Sequence, residues 1–558
     1  MRILKTEILF IIIFIFLFNH DLISQSIVNS KHNLSVSGPG TIKASSETEI
    51  CIFCHTPHNS SPQKPLWNRQ DPALNYTLYT SSTTNATLGQ PDGSSILCLS
   101  CHDGTIALGN VLSRTTPIEF TGGITTMPSG TSNLTKDVSN DHPVSFVYNS
   151  TLATLDGELV NPSGLTGPVQ LENQKMQCIS CHDPHSQLLT DFLVTTNEYS
   201  GLCNYCHQRN YWNSTSHKLS NATWNGTGTD PWFHTDYTTV SRNACENCHN
   251  PHSADGKKLL MNFLPEENNC YTCHNGNVAS KNIQTQFNKQ YRHNVAGYLQ
   301  VHDPIEPNVV QTRHVECQDC HNPHASKNQT ANPPNVNGFL TGVKGVNGNG
   351  ASVDPAQYQY EICYRCHADS PDKPPSASPR VININNVRLD FDLSNPSYHP
   401  IEGPGKNTTT ITLIPPWTTT SVMYCTHCHA SDGTTSPAGP HGSIYPQILK
   451  YNYNRDGQVW ITGTEGYALC YQCHEINAVK TVHERMRTSH AKKSSCNTCH
   501  DPHGISGGTA INNPYLINFN TNTVSVGVLG VIKYEYISPG HGRCTLKCHS
   551  HDHDPATY

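Results

Sequence analysis

Apolar residues in this 558-residue chain form one continuous run and, after it, only short clusters. The run, Ile8 to Phe18, follows basic Arg2 and Lys5 and gives way to a small-residue exit at Ser24. A basic start, an apolar stretch shorter than the roughly 20 residues of a spanning helix and such an exit predict an export leader over residues 1–24. Beyond it, Gly-Asn and Asn-Pro turn pairs interrupt every apolar period within a few residues, which predicts loops. Two stretches alternate apolar and polar positions, Val381 to Phe391 and Val524 to Tyr536, and predict small β elements. No later segment approaches spanning length, so the mature chain is expected to have no membrane span and to be periplasmic or extracellular.

Composition sharpens the picture. Only 35% of residues are hydrophobic and 14% charged, with 38 Gly and 37 Pro. Such a chain buries too little apolar surface to offset the entropy of ordering it, unless something else supplies a core. A net charge of −7 with no basic stripe excludes a nucleic-acid partner.

All 24 cysteines fall into twelve pairs, and a histidine follows the second member of every pair. The first six sites are Cys51/Cys54 with His55, Cys98/Cys101 with His102, Cys178/Cys181 with His182, Cys203/Cys206 with His207, Cys245/Cys248 with His249, and Cys270/Cys273 with His274. The other six are Cys317/Cys320 with His321, Cys363/Cys366 with His367, Cys425/Cys428 with His429, Cys470/Cys473 with His474, Cys496/Cys499 with His500, and Cys544/Cys548 with His549. Residues at i, i+3 and i+4 of a helical turn share one face. Two thiols there reach the vinyl groups of one porphyrin while the imidazole reaches the iron. The spacing therefore reads as covalent attachment of heme c, about twelve groups in all, with the histidine as proximal ligand. Paired thiols also bind zinc or form disulfides. Neither demands a histidine in every motif, whose chance occurrence is on the order of 10⁻¹⁵. The last site carries three intervening residues, which rotates its first thiol by roughly 100° on a helix; attachment is still expected there.

The motifs come in pairs, whose first cysteines are 47, 25, 25, 46, 45 and 48 residues apart. This predicts six haem-pair repeats over residues 25–150, 151–222, 223–298, 299–402, 403–480 and 481–558. The first motif of a repeat is usually followed by Pro-His, giving His58, His185, His252, His324 and His503, and in displaced form His441.

Segments such as CHNPHS at 248–253, CHDPHG at 499–504 and CLSCHDGTIALG at 98–109 resemble the doubled CXXCH motif family of multihaem c-type cytochromes, over nearly the whole chain after the leader. The resemblance implies low-potential electron carriers of the periplasm or cell surface with bis-histidine haems, some of them similar to subunits of extracellular filaments. The expected fold class is a mostly irregular, loop-rich multihaem cytochrome fold, with short helices at the haem-binding motifs and a few small β elements. Roughly 45 residues per haem leave too little chain for ordinary cores, so the haems must form the core.

A second protein ligand separates an electron carrier from an open catalytic iron. Of 33 histidines, twelve are proximal and His20 lies in the leader, leaving 20 for the distal positions. Repeat position selects the Pro-His set together with His32, His142, His217, His293, His399 and His490. His234, His302, His314, His483, His541, His551 and His553 are spares, and His427 inside its motif is expected in a polar contact. The expected function is electron transfer along bis-histidine haems, without catalysis, toward redox protein partners or an extracellular electron acceptor. The alternatives are a multihaem oxidoreductase whose open haem is the irregular last site, and a homo-polymer in which His32, His551 or His553 reach across subunits.

Overall fold

The computed structural model describes residues 27–557 apart from 62–63, 65, 408–411, 456–464, 484–494, 539–540 and 549. The expected leader, His490 and His549 lie outside the described residues. Each motif with two intervening residues folds as a helical turn. Seven are 3₁₀ turns, at Cys51–Phe53, Cys178–Ser180, Cys203–Tyr205, Ala244–Asn247, Cys317–Asp319, Cys425–His427 and Cys470–Gln472. Four are α-helical, at the ends of Gly93–His102, Asn268–His274 and Gln359–His367 and at Cys496–Cys499. The histidine N–H closes the turn on the first cysteine carbonyl, at 2.8 Å from His55 to Cys51 and 3.0 Å from His321 to Cys317.

Several turns are started by their own sequence. The side chain before the second cysteine accepts the N–H of the residue before the first: Asp319 from Glu316 at 2.8 Å, Thr498 from Ser495 at 3.2 Å, His427 from Tyr424 at 2.8 Å. This is half of a capping box, and it satisfies a donor that a helix start otherwise leaves free. It also gives His427 its place, stacked on Tyr424 with ring centres 5.5 Å apart.

The largest sheet lies near the C-terminus and is antiparallel throughout. It comprises β1 (Val524–Ser525), β2 (Lys533–Ser538), β3 (His541–Cys548) and β4 (His551–Thr557). β3 pairs with all three others, with Cys544 opposite Tyr534 and Cys548 opposite Val524 and His551. The expectation of β structure over Val524–Tyr536 is met in part. That over Val381–Phe391 is not: Asn386 accepts the Arg388 N–H at 3.1 Å and starts a single helical turn, Val387–Asp390. The last motif also departs from expectation, since Cys544 and Cys548 sit on a strand rather than a turn. The extra residue breaks the i, i+3 relation, and backbone pairing on both sides of β3 replaces the local bonds of a helix.

Apolar burial is divided among small clusters, with cysteines at their rims. Phe53, Leu108, Phe120 and Ala44 form one, edged by Cys54 and Cys101; Phe519, Val524 and Leu546 form another, edged by Cys499, Cys544 and Cys548. The chain divides into two compact units, residues up to 208 with 250–260, and 209–249 with 261–558. In the second, a cavity of about 1950 Å³ is lined by cysteines of six motifs, among them Cys320, Cys363, Cys428, Cys473, Cys499 and Cys544. A pocket for one ligand spans about 300–1,000 Å³, so this one fits several groups. No helix among the described residues is long and apolar enough to cross a membrane.

Candidate haem centre

Histidine rings meet in pairs. An imidazole nitrogen lies about 2.0–2.1 Å from a transition metal and about 1.1 Å from its ring centre, so two rings flanking one ion have centres about 6.2 Å apart. Ten motif histidines face a second histidine at this spacing, nine in the pairs that follow and His500 with His483. For the first motif of a repeat the pairs are His55–His185 and His182–His252 at 6.0 Å, His249–His324 and His429–His503 at 6.1 Å, and His321–His441 at 6.2 Å. For the second motif they are His102–His32 at 6.1 Å, His207–His142 at 6.3 Å, His274–His217 at 6.2 Å and His367–His293 at 6.3 Å. His474 has His399 as its neighbouring histidine. Burial lowers most of these rings toward the neutral form that an iron ligand needs: His274, His367, His474 and His500 are pushed down to about 4, while the carboxylate of Asp141 raises His252.

The other ring nitrogen is held as well. His102 Nδ1 hydrogen-bonds the Ser132 carbonyl at 2.7 Å, His182 that of Asp191 at 2.7 Å, His321 that of Phe339 at 2.9 Å, His429 that of Gln447 at 2.8 Å and His500 that of Tyr515 at 2.8 Å. Such a bond fixes the tautomer and leaves Nε2 for a metal. Asp191, Gln447 and Tyr515 present their carbonyls from left-handed backbone, φ 55°, 57° and 54°. That conformation costs of order 1–3 kcal/mol in non-glycine residues and concentrates at functional sites. Sequence reasoning missed these residues; their only shared signal is the apolar residue directly after each, Phe192, Ile448 and Leu516.

One connection rule organises the pairs. The Pro-His tail of each repeat supplies the second histidine to the first motif of the repeat before it: His185 to His55, His252 to His182, His324 to His249, His441 to His321, His503 to His429. The same tail anchors the histidine facing the second motif of that earlier repeat. His32 hydrogen-bonds Pro184 at 3.0 Å and His217 Pro323 at 2.9 Å, while His399 and His293 hydrogen-bond Pro502 and Pro440. His142 does so through its backbone N–H, 2.8 Å from the Pro251 carbonyl.

Two positions depart from the expected set. His58 faces no motif histidine among the described residues, and its side chain is exposed. His483, expected as a spare, faces His500 at 6.1 Å. Three spares have polar partners, His302 with Glu316 at 2.8 Å, His314 with Glu306 at 3.0 Å and His234 with the Glu246 carbonyl at 2.9 Å. His32, expected as a ligand within the chain or across subunits, is engaged internally by His102 and Pro184.

The thiols complete the donor set. None of the 24 is paired in a disulfide, and burial pushes Cys54, Cys181, Cys248, Cys320 and Cys428 up to about 12. Neutral, buried thiols suit thioether formation better than zinc thiolate. Successive sites adjoin. Cys98 hydrogen-bonds Cys178, Cys317 hydrogen-bonds Cys270 and Cys363 hydrogen-bonds Cys425, while Cys499 neighbours Cys544 and Cys548. Paired thiols, facing neutral imidazoles and a cavity of several-ligand size together fit heme c.

Comparison with known proteins agrees. Residues 171–210, 238–279 and 419–478 match the family described as Doubled CXXCH motif. Over 206 residues the chain is 25% identical to the multiheme cytochrome MtrA of Shewanella baltica (strain OS185), across 35% of this chain and 43% of that relative. The match thus spans less than half of the relative's length.

Proposed function

We propose that this multihaem c-type cytochrome, which carries doubled CXXCH motifs, is an exported electron carrier with twelve haems of type c, each held between two histidines. The observation that carries the reading is the facing of ten motif histidines by a second imidazole at 6.0–6.3 Å. Bound haem supplies the one-electron couple. The chain's residues do the rest.

Each cysteine pair would hold its porphyrin at two points, and the facing imidazoles would both ligate its iron. With both positions filled by protein, no place remains for a substrate, which favours a carrier over an oxidoreductase. Carbonyls at the Nδ1 atoms of the motif histidines keep those rings oriented, so the coordination would change little on gain or loss of an electron. Bis-histidine ligation lacks the methionine that raises potential, so the potentials are low. Thiols of successive motifs touch within each compact unit, so electrons pass in sequence order there. By the connection rule His490, which precedes the sixth repeat, serves the site of Cys544, Cys548 and His549. Partners are redox proteins or an extracellular acceptor, met in the periplasm or at the cell surface.

The test joins mass spectrometry of the mature protein to optical spectroscopy. Twelve haem masses, a cleaved leader, a low-spin spectrum and no carbon monoxide binding are expected. Eleven masses would remove the last site, and a high-spin haem that binds carbon monoxide would overturn the carrier reading.

A further inference from the structure

Two histidines and three carboxylates that face no motif ring meet beside the seventh motif. His302 and Glu306 lie on the loop before it, His314 and Glu316 lead into Cys317, and Asp319 closes its turn. Ligand atoms of His314, Glu316 and Asp319 lie within 4.8 Å of one another, as do those of His302, Glu306 and Asp319. The five side chains are between 5% and 16% exposed, so water screens them little. Arg365 pairs with two of the carboxylates, its Nη1 with Asp319 Oδ1 at 3.2 Å and its Nη2 with Glu306 Oε1. Three carboxylates against one guanidinium leave a buried negative excess while the imidazoles are neutral, and buried charge is costly unless it is balanced.

The hydrogen bonds sort the donor atoms. His314 Nδ1 donates to the Thr312 carbonyl at 2.8 Å, which leaves the Nε2 lone pair facing Glu306 Oε2 at 3.0 Å. Two acceptors at that distance repel unless a proton or a cation stands between them. Two ligand atoms about 2.1 Å from one ion and at right angles are themselves about 3.0 Å apart, the separation found here. Tyr298 stacks on the His314 ring, with centres 4.9 Å apart, and holds its plane. Glu316 gives Oε2 to His302 Nδ1 at 2.8 Å, while its Oε1 is buried with no hydrogen-bond partner, on a side chain only 7% exposed. Asp319 Oδ2 accepts the Glu316 N–H at 2.8 Å and keeps a lone pair for a second partner.

We propose that His314, Glu306, Glu316 and Asp319 bind a divalent transition-metal cation apart from the haems, through His314 Nε2 and one oxygen of each carboxylate. An imidazole among the donors favours zinc or a similar transition metal over calcium and magnesium, which take oxygen ligands. The ion would balance the negative excess, separate the two opposed acceptors and give the orphaned Glu316 oxygen a partner. Arg365 and His302 then form the outer layer, each holding the second oxygen of a ligating carboxylate and so aiming the first. Bound there, the ion ties the loop at Glu306 to the turn of the seventh motif and, through Arg365, to the helix Gln359–His367 that carries the eighth. The inference stands whichever imidazoles ligate the haems.

The experiment takes the full holoprotein, treats it with a chelator, dialyses it against zinc and counts zinc and iron together by elemental analysis. Wild-type protein is expected to hold one more zinc than His314→Ala and one more than Glu316→Gln. His234→Ala, whose ring bonds the Glu246 carbonyl elsewhere, should hold as many as the wild type. Excess calcium should leave that zinc in place. Zinc should raise the thermal unfolding midpoint of the wild type and leave that of His314→Ala where it was. Glu316→Gln keeps the size of the side chain, so it reports on the lost charge even if His314→Ala folds poorly. The proposal is overturned if the wild type holds no more zinc than Glu316→Gln, if calcium displaces the ion, or if zinc moves both midpoints equally. It is also overturned if His314→Ala opens a haem to carbon monoxide, which would make His314 an iron ligand.

Discussion

The ring of His217 hydrogen-bonds the carbonyl of Pro323 at 2.9 Å, across 106 residues of sequence. The residue after Pro323, His324, faces His249. Two adjacent residues of the fourth repeat thus reach both sites of the third, one with a ring that faces His249 and the other with a carbonyl that holds His217.

Removing either half of that clamp should have separable effects. His324→Ala is expected to open one haem, at Cys245/Cys248, giving a high-spin band and one equivalent of carbon monoxide binding with the remaining haems unchanged. Carbon monoxide titration of the reduced protein checks this. An unchanged low-spin spectrum would show that His324 is no ligand.

His427 should behave as a cap and not as a ligand. His427→Ala removes the acceptor for the Tyr424 N–H and the stacking on Tyr424, a loss of about 1 kcal/mol by comparison with other helix caps. Urea unfolding should register that loss, while the haem spectrum stays as in the wild type.

Arg69 is fully buried and has no acidic partner in contact among the described residues. It donates to the carbonyls of Leu108 at 2.8 Å, Ala107 at 3.0 Å and Ser100 at 3.1 Å, and its charge acts on Cys54 and Cys101. A cation there disfavours the oxidised, more positive state of the first two haems. Arg69→Met should lower their potentials by an amount on the order of tens of millivolts. Spectroelectrochemical titration of the two variants would reveal the shift, and identical curves would refute it.

Glu266 gives a pH dependence of stability. Its Oε1 has no hydrogen-bond partner, and burial pushes its carboxyl up to about 7 from an ordinary 4.5. A raised carboxyl favours the protonated form in the fold. The fold is then least burdened below the unfolded value, loses stability as pH rises from there through about 7, and changes no further above it. Glu266→Gln should match the wild type near pH 4.5 and exceed it by about 2 kcal/mol at pH 8. Denaturation at the two pH values decides; equal stability at both would refute the assignment.

The attachment sites were legible because thiol, thiol and imidazole are fixed by spacing within one helical turn, and eleven such turns are found. The Pro-His histidines stood out through repetition. Which site each one serves could not be read, because the tail acts on the preceding repeat, often more than 70 residues away, and local spacing carries no trace of it. His483 gave no signal at all: it has no repeat position, and the short helix Ile476–Val482 that ends beside it brings it to His500. The strand at Cys544–Cys548 escaped for a related reason, since its pairing with Tyr534 and His551 is tertiary. Val381–Phe391 misled because its short alternation is outweighed by the capping bond of Asn386.

The backward reach of the tails bears on how such a chain changes length. Were a whole repeat spliced between two others, its tail would close the repeat before it and the next tail would close it in turn, leaving no iron site incomplete. A cut anywhere else would strand a histidine on one side and an unmatched turn on the other. The molecule is therefore extensible in steps of two haems, and in no smaller step.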